Sequence, residues 1–317
     1  MHIRSIRRIT NDSNHNAFTG ACWFKDALYV GFRQGDAHAE QQGRLIVMRS
    51  RDEGVSFDIV HVARSTGDTR DAHLYTDGRR LLLAGFVTDP GGCRRSGTTW
   101  TENGLNWSPW TPYKGADGFV MWRPQYFDGT YYCAGYSYAT ERYGVAWFES
   151  SDGVHWQKKY WIRKTASEQP NECSLVFKPD GTAAILMRRE HKSKRPLLLH
   201  GRPPYRKWQV RELNIPLAGP CAWWVEDDLW ISGRWVPRPG VAHLALFKIV
   251  RDKAQFEMVM PSGPEFDCSY MGVAKHPTHR GRFFFSYYSN HVAPSDPSIS
   301  QWHHPDVYVA DVLFEEP

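Results

Sequence analysis

The stretch that decides the fold is residues 128–156, DGTYYCAGYSYATERYGVAWFESSDGVHW. It carries an Asp-Gly turn, two apolar runs, and then a Ser-Asp-Gly turn that ends in an aromatic residue. Asp-Gly between apolar runs reads as a β-hairpin. The same order returns along the chain, with first-hairpin turns at Lys25-Asp26, Asp77-Gly78, Asp128-Gly129, Asp180-Gly181, Asp227-Asp228 and Arg280-Gly281, about 50 residues apart. Runs such as LYVGF, LLLAGF, YYCAGY and FFFSYY flank them. A repeat of this length made of hairpins is a propeller blade.

Six repeats account for nearly all of the 317 residues. The expectation is an all-β, six-bladed β-propeller in a single domain spanning 1–317. Its blades fall near 18–65, 71–115, 122–165, 171–214, 219–262 and 269–314. The sixth repeat offers three strands (SYMGVAKHP, GRFFFSYYS and PDVYVADVLFE), while IRSIRRIT near the N-terminus has no blade of its own. Residues 2–9 are therefore expected to complete blade six and close the ring, which removes exposed edges.

Composition limits the function classes. Net charge is +5, but the 39 Lys and Arg are scattered rather than gathered into a stripe, so a nucleic-acid groove is not expected. An anionic glycan suits the mild basic balance better. MHIRSIRRIT lacks an apolar signal core and no run is long enough to span a bilayer, so neither export by a standard signal nor membrane insertion is expected. The default location is cytoplasmic, with phage association or non-classical release left open, and the assembly is expected to be a monomer or small homo-oligomer. Cys22, Cys173, Cys221 and Cys268 fall at nearly equivalent places in four blades, which reads as buried free thiols packed near the axis. His38, His191, His276, His279, His291, His303 and His304 lack metal-ligand spacing, so no metal and no cofactor are expected. Trp122, Trp223, Trp224 and Trp302 are candidates for stacking on sugar faces.

A second mark falls one hairpin later, in SRDEGVSF (Ser50 to Phe57), TENGLNW (Thr101 to Trp107), SSDGVHW (Ser150 to Trp156) and a worn copy, RDKAQF (Arg251 to Phe256). These resemble the Asp-box, S-x-D-x-G-x-T-W, of sialidase-type propellers. The motif is structural: the carboxylate accepts backbone N–H bonds, Gly takes a turn conformation and the aromatic plugs the blade interface.

In a propeller, residues that open the first strands and close the second strands meet at one mouth. The chain places Thr19, Asp71, Arg123, Glu172 and Tyr270 at the openings, with Arg33, Arg188 and Arg234 after second strands. NECSLVFKPDGTAAILMRRE (Asn171 to Glu190) is similar to the fourth blade of sialidases, and the resemblance implies Glu172 as a base and Arg188 as a substrate-binding arginine. YVGFRQGDAHAEQQGRLIVMRSRDEG (Tyr29 to Gly54) is similar to the sialidase stretch with the acid/base aspartate, which implies Asp36, with Glu40 as a rival. Arg234 after LWISG fits a second substrate arginine, and Tyr270 in DCSYMG fits the nucleophile.

The resemblance therefore implies an exo-acting, retaining glycoside hydrolase that releases a terminal sialic acid or related acidic sugar. Such a sugar carries a carboxylate at its anomeric carbon, which repels an anionic nucleophile, and sialidases use tyrosine instead. One departure stands out: FTGAC puts Thr19 where the family has an arginine. Arg33, Arg70 and Arg123 lie near enough to replace it, with Arg33 or Arg123 favoured. Losing one charge-assisted fork removes about 1.5–3 kcal/mol of binding. Two other readings remain: a non-catalytic glycan- or receptor-binding propeller, and a propeller glycosidase or lyase acting on another polysaccharide.

Overall fold

The computed structural model describes residues 1–39, 42–137, 143–263, 267–292 and 304–314. Within them the chain is all-β, without a helix, and its strands form six antiparallel sheets. Blade one holds His15–Phe24, Ala27–Gly35, Arg44–Ser50 and Asp58–Ala63; blade two holds Asp68–Thr76, Leu81–Thr88, Arg94–Thr101 and Thr111–Pro112. Blade three splits its first strand into Phe119–Val120 and Gln125–Phe127, followed by Thr130–Ser137, Gly144–Ser150 and Gln157–Lys164. Blade four holds Pro170–Phe177, Ala183–Arg189, Leu197–Gly201 and Trp208–Glu212, and blade five holds Leu217–Val225, Asp228–Arg238, Val241–Val250 and Lys253–Val259.

Blade six closes the ring. Its chain order is Ser269–Lys275, Arg282–Ser289 and Asp306–Leu313, and His2–Arg8 adds the outer strand with His2 opposite Leu313 and Arg8 opposite Tyr308. Arg8 reaches Asp306 at 2.5 Å and Thr10 Oγ1 donates to the same carboxylate at 3.0 Å. Ile3 and Ile6 pack on the apolar cluster beneath. The expected closing strand is present.

Inner strands lie between neighbouring sheets, which is why they read as unbroken apolar runs: all eight residues of RFFFSYYS, Arg282–Ser289, are buried. Outer strands such as Asp58–Ala63 and Trp208–Glu212 face water and show the polar residues. Near the axis the first strands come very close. A Cβ on Gly20 would lie 2.1 Å from the Ala72 carbonyl oxygen, and one on Gly272 would lie 2.3 Å from the Ala21 nitrogen.

The turns after the third strands behave as their chemistry requires. Asp52 accepts from Ser50 Oγ (2.8 Å) and the Ser56 amide (2.9 Å); Asn103 accepts from Leu105 and Asn106 (2.9 and 2.8 Å), and Asp152 from Val154 and His155 (both 2.8 Å). The closing aromatics seal seams: Trp107 stacks on His61 of blade one and Trp156 meets Tyr113 of blade two. Two sequence expectations change. Arg251 and Asp252, both at positive φ, form a two-residue hairpin turn, and no Asp-anchored loop exists there. The blade-five hairpin turns at Glu226-Asp227, one residue earlier than the sequence suggests, because Val225 pairs with Asp228.

Cysteine placement is also corrected in part. Cys173 and Cys221 each follow the bulge of their first strand, whereas Cys22 lies further along its strand and Cys268 precedes one. All four are free and buried. Burial pushes the Cys22 thiol up to about 12 and that of Cys268 to about 11.

Candidate active site

Each first strand except the split one breaks register near its start, between Ala17 and Gly20, Arg70 and His73, Pro170 and Cys173, Ala218 and Cys221, and Ser269 and Gly272. These bulges re-aim the side chains that open each blade. Phe18, Asp71 and Tyr270 take positive φ at these bulges (57°, 61° and 44°), and Arg123 does so (49°) between the two pieces of the split strand, a conformation costly for residues with a Cβ.

Tyr270 lies at the centre. Its hydroxyl donates to Glu172 Oε1 at 2.8 Å, and Arg188 Nη1 donates to both Glu172 oxygens at 2.9 Å and to the Tyr270 hydroxyl at 3.3 Å. Arg188 Nη2 also meets Glu190 Oε1 at 2.7 Å. Arg234 sits over the Tyr270 ring, 5.7 Å from its centre, held by the Cys268 carbonyl and the Tyr288 hydroxyl, both at 3.1 Å. Phe18 and Trp122 each contact the Tyr270 ring edge-on.

The strained Tyr270 backbone is held by its neighbours. Thr19 Oγ1 donates to the Tyr270 carbonyl at 2.9 Å and accepts from Ser286 Oγ at 3.0 Å, and Arg123 Nη2 donates to the Met271 carbonyl at 2.7 Å. Thr19, which stands where a third arginine was expected, is a fully buried support for the tyrosine.

Charge follows from burial. Burial, then the neighbouring Glu172 carboxylate, holds the Tyr270 phenol well above its ordinary pKa, against the pull of Arg188 and Arg234. Burial works to lower the Arg188 pKa, but Glu172, Tyr270 and Glu190 outweigh it and the group stays cationic. Asp71 is pushed up to about 7 by burial and by Glu172, partly offset by Arg70, Arg123 and Arg94. Two carboxyls thus share the floor, and the environment favours one of them neutral.

Of the other predicted arginines, Arg70 stays at the mouth and Arg33 and Arg123 do not. Arg33 is fully buried, with Nε on Asp68 at 2.8 Å and Nη1 on the Ala37 carbonyl at 2.9 Å, so it ties down the loop after Ala27–Gly35. Arg70 shares Asp68 and donates to the His38 carbonyl at 2.9 Å; with its guanidinium 5.8 Å from the Phe18 ring, it remains at the mouth. Arg123 lines a cavity of about 690 Å³ at the opposite end of the central channel, along with turn residues Lys178, Asp180, Glu226 and Asp227. The favoured replacements Arg33 and Arg123 therefore do not present forks at the mouth: one is spent on Asp68, the other lies behind Tyr270. Asp36 is exposed at the start of the loop, while Glu40, Trp302 and His303 lie outside the described residues. Trp122 and Trp223 are buried, and Trp223 and Trp224 line the far cavity, so these three are not rim platforms.

One cluster escaped sequence reading. His15 Nε2 lies 2.5 Å from Asp267 Oδ2, and His38 Nδ1 lies 3.2 Å from both Asp267 oxygens, while the Tyr288 hydroxyl donates to Oδ1 at 3.1 Å. Asp267 is 252 residues from His15 and 229 from His38, a separation that no local spacing rule detects. Phe18 was missed too; its signal was its place beside Thr19 at the opening of blade one. A groove of about 460 Å³ leads away from Arg188 and Arg234 between blades four and five, past Lys194, Pro216 and Arg238.

No family model matches the chain, and no curated protein matches it. Solved structures do. A protein of unknown function from Dyadobacter fermentans superposes with a TM-score of 0.75 at 13% identity, covering 98% of this chain and 100% of that one. The endosialidase of phage phi92 matches at 0.71 and 11% identity over 99% of this chain and 69% of the other. Penicillium chrysogenum α-L-arabinanase, solved with arabinobiose, matches at 0.67 and 12% over 98% of both chains. Trypanosoma rangeli sialidase, solved with the inhibitor DANA, also matches at 0.67 and 12%, over 98% of this chain and 60% of that chain. At these identities the likeness speaks for architecture alone, and on that ground the protein has the six-bladed β-propeller fold of the sialidase-like type.

Proposed function

We propose that the protein is a retaining, exo-acting glycosidase that removes a terminal acidic sugar, a sialic acid or a related nonulosonic acid, from a glycan. The observation that carries this reading is the hydrogen bond from Tyr270 to Glu172, closed by Arg188 and covered by Arg234. A buried phenol well above its usual pKa is a poor nucleophile unless a base accepts its proton at the moment of attack. Glu172 is in contact to do so. Arg188, whose Nη atoms bond Glu172 and Glu190, and Arg234, held by the Cys268 carbonyl and the Tyr288 hydroxyl, would turn N–H groups from these partners to the substrate carboxylate, and Arg70 is the remaining guanidinium at the mouth.

In this mechanism Tyr270 Oη attacks the anomeric carbon and its proton passes to Glu172. Asp36 gives its proton to the leaving glycosidic oxygen. Water activated by the resulting carboxylate then attacks the same carbon, the tyrosyl oxygen departs and recovers its proton from Glu172, and configuration is retained. Glu40 remains the alternative for the acid/base.

A second reading has its own observation. Asp71 and Glu172 form a carboxyl pair with one member held up to about 7, the division of protonation states that two-carboxylate glycosidases use. That arrangement suits a neutral sugar, as in a propeller arabinanase. Fluorophore release from a 4-methylumbelliferyl α-sialoside and from an arabinofuranoside separates the two. The acidic-sugar reading expects turnover of the sialoside, lost in both Tyr270→Phe and Arg188→Ala. Turnover of the arabinofuranoside alone, lost in Asp71→Asn, would overturn it in favour of the second.

A further inference from the structure

We propose that His15, His38 and Asp267 bind a divalent transition-metal ion of the zinc type on the blade-one side of the mouth. Their donor atoms, one from each residue, all lie within 4.8 Å of one another. They come from three different segments: the opening of His15–Phe24, the loop after Ala27–Gly35, and the residue that leads into blade six. Two imidazoles and one carboxylate form a donor set that suits zinc and its neighbours and does not suit calcium or magnesium, which prefer oxygen alone.

The distances to Asp267 fit with little adjustment. Metal–ligand bonds of about 2.0–2.1 Å at tetrahedral angles put donor atoms about 3.3 Å apart. His38 Nδ1 already stands 3.2 Å from each Asp267 oxygen, and His15 Nε2, at 2.5 Å, needs to move outward by less than about 1 Å. Outer support is in place as well. Tyr288 donates to Asp267 Oδ1 at 3.1 Å and is itself held by Arg234 at 3.1 Å, the kind of second layer that orients metal ligands. The hydrogen-bond partners described for Asp267 are imidazoles and a phenol, with no lysine or arginine among them. Arg234 acts on Asp267 electrostatically and through Tyr288, and a cation between the two imidazoles and this largely buried carboxylate would give it a direct partner.

Among the described residues, one side stays open. His15 is buried, whereas the His38 side chain is 55% exposed, and Phe18 connects His38 edge-on to Tyr270. Three protein ligands and a free fourth position is the pattern of a site that takes an outside oxygen. The ion would add positive charge on the side of the mouth where blade one offers Thr19 in place of an arginine, and its open position would take a carboxylate or hydroxyl oxygen of a ligand. The expectation of no metal rests on local spacing, and the proposal departs from it because these ligands converge only through ring closure.

The test is made on the full chain after treatment with EDTA, without any sugar. Cobalt(II) is titrated while the visible d–d absorption is followed, and zinc is titrated calorimetrically, with wild type compared with His38→Ala and His15→Ala at matched circular dichroism. The proposal expects one ion per chain, four-coordinate cobalt bands displaced by zinc, and affinity lowered at least about 10-fold in His38→Ala, which alters an exposed side chain and leaves the fold intact. Absence of cobalt bands in wild type, or equal zinc affinity in wild type and His38→Ala, would overturn it and leave a hydrogen-bonded His-Asp-His clasp. Because no substrate is involved, this outcome and that of the glycosidase assay are read separately.

Discussion

At the scale of the residue, the site depends on groups whose charge is set by burial. Asp71 has a folded pKa of about 7 against 3.8 for an unperturbed aspartate side chain. Between those values the folded state holds a proton that the unfolded chain has released, so Asp71 lowers stability as pH rises from about 4 to about 7, and its effect is level above that. The span corresponds to at most about 4 kcal/mol. Asp71→Asn should therefore gain stability over wild type progressively through this window, as measured by chemical denaturation at pH 4, 5.5, 7 and 8; a difference that does not vary with pH would contradict the assignment. Glu172→Gln, which leaves Tyr270 a neutral amide to bond with, should lower kcat by roughly 10²–10⁴-fold with a smaller change in KM, since it removes the proposed base and leaves the cavity.

At the scale of the element, the bulges that open the first strands create the mouth, and a few side chains hold them in place. Thr19→Val keeps the shape but removes the donor to the Tyr270 carbonyl. A buried carbonyl left unpaired costs about 1–3 kcal/mol, so the variant should melt lower and turn over more slowly, while Thr19→Ser should restore both. Unchanged melting and turnover in Thr19→Val, with loss in Thr19→Ser, would mean that Thr19 acts through its methyl group and would contradict this. The hairpin repeat was legible because turn residues and apolar runs are local signals: Asp128-Gly129 and Lys25-Asp26 turn where the sequence places them. What could not be read was the direction of a side chain after a bulge. Arg123 and Arg33 look equivalent to mouth residues in sequence, but the split strand of blade three and the Asp68 carboxylate take them elsewhere. The worn Asp-box failed for a related reason, since Arg251-Asp252 satisfies the same connection with a shorter turn.

At the scale of the whole molecule, closure brings the two ends of the chain together and, with them, His15 and Asp267. The pairing of His2–Arg8 with Asp306–Leu313 covers an edge that would otherwise be bare. Deleting residues 1–10 should lower the melting temperature by more than about 5 °C and promote association through the exposed strand; an unchanged melting temperature would show that the ring does not depend on this strand. The site is likewise a property of the ring. Tyr270 and Glu172 lie 98 residues apart, on blades six and four, and their contact follows only once the ring is closed. That Tyr270, Glu172, Arg188 and Arg234 could be put forward from sequence rested on the resemblance to sialidase blades, whereas Phe18, Asp267 and Tyr288, though they stand inside FTGAC, DCSYMG and FFFSYY, and His15 carry no local signal of their partners, which became visible only in three dimensions.

The central claim is that Tyr270 supplies the nucleophilic oxygen in a covalent step. The direct measurement is peptide mass spectrometry of the protein after incubation with a 2,3-difluorinated sialic acid, which slows release of a glycosyl-enzyme. The account predicts a sugar adduct on the peptide containing Tyr270, absent in Tyr270→Phe. In a protein that turns over the sialoside, an adduct on Glu172 or Asp71, or none at all, would contradict it.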